Sequence, residues 1–140
     1  MRVYISGKIG EEVISEATRQ KFERAERMLE QHFNPEFDPP VNPASEAFQE
    51  TMKQAFEWRE LRRNLPDILL YDLHWLRTCD AIYMLEDWTK SDGANVELDF
   101  ARATGKKILW QNLEDAQIFH GDNETAEGVW LPIDEKEGEV

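Results

Sequence analysis

The segment CDAIYMLEDWTKSDGANVELDFARATGKKILW, residues 79 to 110, constrains the fold more than any other stretch of the chain. Two apolar runs, Ala81 to Leu85 and Ile108 to Trp110, enclose a polar loop with Ser91, Asp92 and Gly93, followed by a helical pattern. Strands that are apolar throughout and joined through a helix belong to a parallel sheet covered on both faces, because a tight hairpin cannot return the chain in the same direction. The segment therefore reads as a βαβ unit. Its helix, from about Ala94 to Thr104, carries Val96, Phe100 and Ala103 at i, i+4 and i+7 with Ala101 beside them, and this stripe is expected to face the sheet. Gly105 is the helix stop signal.

The loop gives the unit its chemistry. Ser91, Asp92 and Gly93 stand where the first backbone N–H groups of the helix lack partners, and such a terminus attracts anions. Glu97 follows about one turn later, near the carboxyl edge of the sheet, where open α/β folds hold their ligands. The plainer alternative is that Ser91 or Asp92 is an N-cap and Glu97 an acid complementing the helix dipole.

A second βα unit opens the chain. RVYIS, residues 2 to 6, is rich in β-formers, Gly7 and Gly10 bracket a turn, and Ile14, Ala17, Phe22, Ala25 and Leu29 recur at helical spacing from about Glu11 to Gln31. Gly7-Lys8-Ile9-Gly10 lacks the complete spacing of a dinucleotide or phosphate loop. Four prolines in residues 33 to 44 exclude a helix there, leaving room for a short strand near Glu36 to Asp38. From Ala44 to Arg63 one stripe holds Phe48, Met52, Ala55 and Phe56; Pro66 interrupts it, and Ile68, Leu69, Leu73 and Leu76 resume it, which predicts two helices with a break near Leu65. Asp72 lies among those apolar neighbours, although a lone helical Asp is commonly just solvated. After Asn112 the pattern weakens: GVWLPI is a candidate late strand, and residues 133 to 140 read as an acidic tail.

Length and composition narrow the function. A chain of 140 residues with 41% hydrophobic content fits a single domain with a real core. A net charge of −13, from 29 acidic and 16 basic side chains, would repel a nucleic-acid polymer over most of the surface. With Cys79 as the lone cysteine there is no intramolecular disulfide or thiolate cluster, and His32, His74 and His120 lack metal-ligand spacing. The N-terminal apolar run is too short for a signal peptide and no stretch approaches the roughly 18 apolar residues of a membrane span, so the expectation is a cytoplasmic protein with no membrane partner.

Taken together, VYISG, VNPA and YDLHWLRTCDAIYMLEDWTKSDGANVE resemble the nucleoside 2-deoxyribosyltransferase-like superfamily, in particular its small phage and bacterial branch of unknown function. The likeness covers residues 2 to about 112, and its most specific part is the DLxxLxxCDAIYML segment followed by W, S, GA and E. The resemblance implies a flavodoxin-like, Rossmann-like three-layer α/β sandwich with a parallel sheet of about four to five strands. It also implies cleavage of the N-glycosidic bond of a nucleoside or nucleoside 5′-monophosphate through a glutamate nucleophile, which by motif position is Glu97. The base-contacting acid of the family falls on Asp72, and the tyrosine that steadies the nucleophile falls on Tyr4. Six positions before the glutamate, transferases on free nucleosides carry an aspartate and monophosphate hydrolases a phosphate-binding serine; here the residue is Ser91. Gly10 stands where those hydrolases have an arginine, leaving Lys8 as the nearby cation. Ser6, Gly7, Lys8, Ser91 and Gly93 complete the expected substrate and phosphate contacts.

The chemistry agrees with that likeness. Breaking a C1′–N bond builds oxocarbenium character, so one carboxylate belongs at the anomeric carbon and an acid beside the departing base, with no cofactor and no metal required. The two carboxyls are expected in one pocket, roughly 5 to 10 Å apart, with at least one pKa raised. Two other functions fit the same residues: a non-catalytic nucleotide-binding or sensing module, and an NAD glycohydrolase. Five tryptophans, one of them Trp58 beside Arg59, Glu60, Arg62 and Arg63, lead to the expectation of a homodimer or higher homo-oligomer, and related enzymes are similar to dimers whose neighbouring subunit borders the pocket.

Overall fold

A computed structural model describes residues 1–10, 13–33, 38–58 and 64–133. Three short strands, β1 (Val3–Ser6), β2 (Ala81–Met84) and β3 (Lys107–Trp110), form a parallel sheet in the order β1-β2-β3. The register pairs Tyr4 with Ile82 and Ser6 with Met84, then Ile82 with Ile108 and Met84 with Trp110. All residues of β1 and β2 are buried, so both faces of the sheet are covered, as their unbroken apolar runs require.

The expected four to five strands are corrected to three among the described residues. Each sheet edge gains only a single bridge, Val41 beside Tyr4 and Trp130 beside Trp110, both parallel. Proline explains the brevity at both sites: Pro39, Pro40 and Pro43 surround Val41 and Pro132 follows Leu131, so neither segment can offer a run of ladder N–H groups. The strand expected near Glu36 to Asp38 falls mostly outside the described residues. GVWLPI is corrected from a strand to the last residues of a helical turn (Ala126–Val129) followed by the Trp130 bridge.

Among the described residues six α-helices surround the sheet: α1 (Glu16–His32), α2 (Glu46–Trp58), α3 (Leu65–Arg77), α4 (Asp92–Ala103), α5 (Leu113–Phe119) and α6 (Ala126–Val129). Ser15 caps α1, which buries Phe22, Ala25 and Leu29; its expected first residues, Glu11 and Glu12, lie outside the described set. The break between α2 and α3 appears where Pro66 predicts it, with the Asn64 side chain accepting the Asp67 N–H at 3.0 Å. Phe48 and Phe56 of α2 meet the Tyr71 ring of α3 edge-on, so the two helices are joined through aromatic contacts. Asn112 caps α5, a helix the weak periodicity after residue 112 did not announce.

The orientation of α4 differs from the expectation in a way that matters for the site. Ala94, Glu97, Leu98 and Ala101 face inward, whereas Val96 is 40% exposed, Ala103 is exposed and Phe100 only half-buried. The helix is rotated so that its one acidic inward residue occupies the buried stripe. Periodicity treats a carboxylate as a solvent-facing residue; here two hydroxyls of β1 satisfy it, and burial follows.

Candidate active site

Residues two apart on a strand share a face, so Tyr4 and Ser6 both project from β1 toward α4. Each meets Glu97. The Tyr4 hydroxyl donates to Glu97 Oε2, and the Ser6 hydroxyl donates to Oε1 at 2.8 Å. Tyr4 and Ser6 are buried and Glu97 is 5% exposed, so both oxygens of one carboxyl are held from the sheet in a site nearly closed to water.

Glu97 opens onto a cavity of about 570 Å³, a size suited to a small-molecule ligand. Its lining includes Tyr4, Gly7, Lys8, Asp72, Ser91, Gly93 and Glu97, drawn from β1 and its loop, from α3 and from the start of α4. Of the residues singled out in the sequence, Ser6 alone does not line the cavity; it stands behind Glu97 as a hydrogen-bond donor. A second region of the lining is apolar, with Ile9, Ile14, Met52, Ile68 and Leu69. The cavity thus has a carboxyl end and a greasy wall, the two environments that a sugar with an aromatic base would need.

The two acids are electrically linked. Burial pushes the Glu97 carboxyl up to about 7 against the pull of the Tyr4 and Ser6 hydrogen bonds, which favour its anion. Burial, and after it the charge of Glu97, pushes Asp72 up to about 8. Asp72 accepts no hydrogen bond from any described residue, so no described donor offsets its desolvation, whereas Glu97 has two donors. The pair accordingly ionises first at Glu97 and keeps the remaining proton on Asp72. Tyr4 itself is held well above its ordinary value by burial and by both carboxyls, so it remains a donor.

The loops are built to bring these parts together. Ser91 is the N-cap of α4: its Oγ accepts the Ala94 N–H at 3.1 Å, and the residue lines the cavity at the helix start. Gly93 leaves room for Leu69 of α3, whose Cδ2 would lie 3.3 Å from an added Cβ. Gly7 is required for a closer approach, since an added Cβ would stand 2.6 Å from Leu85 Cδ1 and 2.9 Å from Leu85 Cβ. That contact lets the loop after β1 descend onto the end of β2.

The family model of a domain of unknown function, DUF4406, matches residues 1–110. The chain belongs to this family. No curated protein and no solved structure matches it. The DUF4406 span contains the three strands, α1 to α4 and every cavity residue named above, while α5 and α6 lie beyond it.

Within this DUF4406 domain the structure adds residues that the sequence did not single out. Lys90 lines the cavity together with Lys8, so Lys8 is not the lone cation near the α4 start. Its position directly before the N-cap serine was the available signal. Asp87 and Lys21 also bear on the site through the Lys8 backbone, at sequence separations that no local pattern reveals. Among the described residues no group of three or more His, Cys, Asp or Glu is placed to hold a metal ion, and no helix is long and apolar enough to cross a membrane.

Proposed function

We propose that the cavity cleaves the N-glycosidic bond of a nucleoside or nucleoside 5′-monophosphate, with Glu97 as nucleophile and Asp72 as acid. The observation that carries this reading is the asymmetric pair: a buried carboxyl held by two hydroxyl donors, and a second carboxyl on the same cavity without donors, which retains the shared proton. In the reaction Glu97 Oε bonds to C1′ as the C1′–N bond breaks, the electron pair leaves with the base, and Asp72 delivers its proton there. Water then attacks C1′, gives a proton to Asp72, and releases the sugar and the Glu97 carboxylate. A second base in place of water would make the same chemistry a transfer.

Lys8, Lys90 and the first turn of α4 support a 5′-phosphate on the substrate, because two lysines line this one cavity on a chain of net charge −13. The apolar wall supports an aromatic base. The reading carries with it a flavodoxin-like assignment of the sheet, a cytoplasmic location beside nucleotide pools, and a homodimer, for which the 84% exposure of Trp58 is the supporting observation.

Incubating the pure folded protein with a panel of nucleosides and their 5′-monophosphates tests the proposal. Free base is expected from at least one of them and is expected to vanish in Glu97→Ala. Saturable nucleotide binding without base release would assign the cavity to sensing instead, and release that survives Glu97→Ala would reject the mechanism.

A further inference from the structure

The loop between β1 and α1 lines the cavity, yet it contains two glycines and belongs to no ladder. What holds it is a clasp from outside. Asp87 Oδ1 accepts the Lys8 N–H at 3.0 Å. The Lys21 ammonium donates to the Lys8 carbonyl at 2.8 Å and also to Asp87 Oδ2. Both partners are largely shielded, with side chains 29% and 23% exposed, so this ion pair is worth more than a fully solvated one.

Its geometry fixes two successive peptide planes. The Lys8 N–H belongs to the peptide that follows Gly7, and the Lys8 carbonyl to the peptide that precedes Ile9. Neither Lys21 nor Asp87 lines the cavity, whereas Lys8, Ile9 and Gly10 do. In a trans peptide the C=O and N–H point in opposite directions, and no described peptide bond is cis. With the Lys8 carbonyl turned to Lys21, the Ile9 N–H of the same peptide is turned away from Lys21, in a residue that lines the cavity.

We propose that Lys21 and Asp87 are positioning residues: by gripping the Lys8 backbone they hold the Gly7–Gly10 wall in the one orientation that presents the Lys8 ammonium and the Ile9 N–H to a ligand. Neither residue touches the ligand. Their removal weakens ligand capture and leaves the Glu97 and Asp72 chemistry intact. The kinetic side of this inference rests on the N-glycosidase reading of the cavity; the structural side does not.

The test compares Asp87→Ala, Asp87→Asn and Lys21→Met with Lys21→Arg, which keeps a cation in reach. Amide hydrogen exchange in the folded protein is read first. Exchange at Lys8 is expected to rise about tenfold or more in Asp87→Ala, while Tyr4, Ile5 and Ser6 keep their protection. With a substrate from the panel, KM is expected to rise about tenfold in Lys21→Met with kcat and its pH profile unchanged, and Lys21→Arg is expected to recover most of the loss. If the panel gives no turnover, the dissociation constant of a nucleoside 5′-monophosphate by calorimetry replaces KM. Unchanged exchange at Lys8 in every variant overturns the inference whether or not the protein cleaves any nucleoside. So does exchange that rises uniformly through β1, and so does faster loop exchange with unaltered KM or affinity.

Discussion

The Tyr4 hydroxyl reaches Glu97 across 93 positions of sequence and donates to the Oε2 of a carboxyl whose other oxygen is taken by Ser6. A hydrogen bond to a charged acceptor stabilises it by about 1.5–3 kcal/mol, so Tyr4 lowers the cost of ionising a buried acid. Tyr4→Phe keeps the ring and removes the donor. Glu97 should then ionise one to two pH units higher, on the order expected from that energy, and turnover near neutrality should fall about tenfold. A rising limb of the pH–rate profile that does not move in Tyr4→Phe would refute the role given to this hydroxyl.

The wild-type profile follows from the same pair. In the proposed reaction Glu97 acts ionised and Asp72 protonated, so the rate should rise as pH passes about 7 and fall as it passes about 8. Substituting Asp72→Asn should abolish the falling limb and lower turnover about 100-fold for bases that leave only when protonated. Initial rates across the pH range read both effects.

Stability should carry an opposite-looking signature from the usual carboxylate. Both acids bind protons more tightly in the folded chain than in the unfolded one, so folding is favoured most below the ordinary carboxylate range. That advantage is lost as pH rises toward about 7 for Glu97 and about 8 for Asp72. Glu97→Gln should flatten the decline and leave the protein more stable than wild type near pH 8, by on the order of a few kcal/mol. Asp72, pushed further from its ordinary value, should contribute at least as much to the same decline. Urea midpoints measured at several pH values decide the sign.

On the proposed reading, Lys90 is where phosphate recognition separates from base and sugar recognition. Lys90→Ala should weaken a 5′-monophosphate about fivefold or more and leave the corresponding nucleoside unaffected, in keeping with a partly screened charge pair of about 1 kcal/mol. Equal losses for both ligands would remove Lys90 from the phosphate end.

At Gly7 the expected defect is steric. Leu85 is fully buried and an added Cβ would meet its Cβ as well as its Cδ1, so Gly7→Ala should destabilise the fold by about 1–3 kcal/mol. Thermal melting of Gly7→Ala, Leu85→Ala and the double variant should show the two losses to be less than additive.

How much of this was legible beforehand depends on whether the deciding interaction is local. The βαβ unit follows from unbroken apolar runs, the α2–α3 break from Pro66, and the α4 start from Ser91, all within a few residues of the feature they explain. Motif order also brought Tyr4, Asp72, Ser91 and Glu97 to one cavity. The facing of α4 was misread because Glu97 counts as polar until its partners on β1 are known, and that miss displaced Val96 and Ala103 from the expected buried stripe. Lys21 and Asp87 are 66 positions apart and carry no pattern at all. The strand count failed for a different reason: proline shortens both outer segments to one bridge each.

Those two bridges have a consequence for solubility. The three strands found among the described residues leave two flanks, and each would ordinarily offer backbone N–H and C=O groups to any extended chain that drifts past. Here Val41 accepts from Ile5 and donates to Val3, while Leu131 donates to Trp110, so some of the groups that would recruit a foreign strand are already occupied. The prolines beside these contacts stop the pairing from propagating outward. The protein thereby guards both flanks against templated aggregation with single residues rather than full strands, and substituting Pro43 or Pro132 by a β-branched residue would trade that protection for a longer, stickier edge.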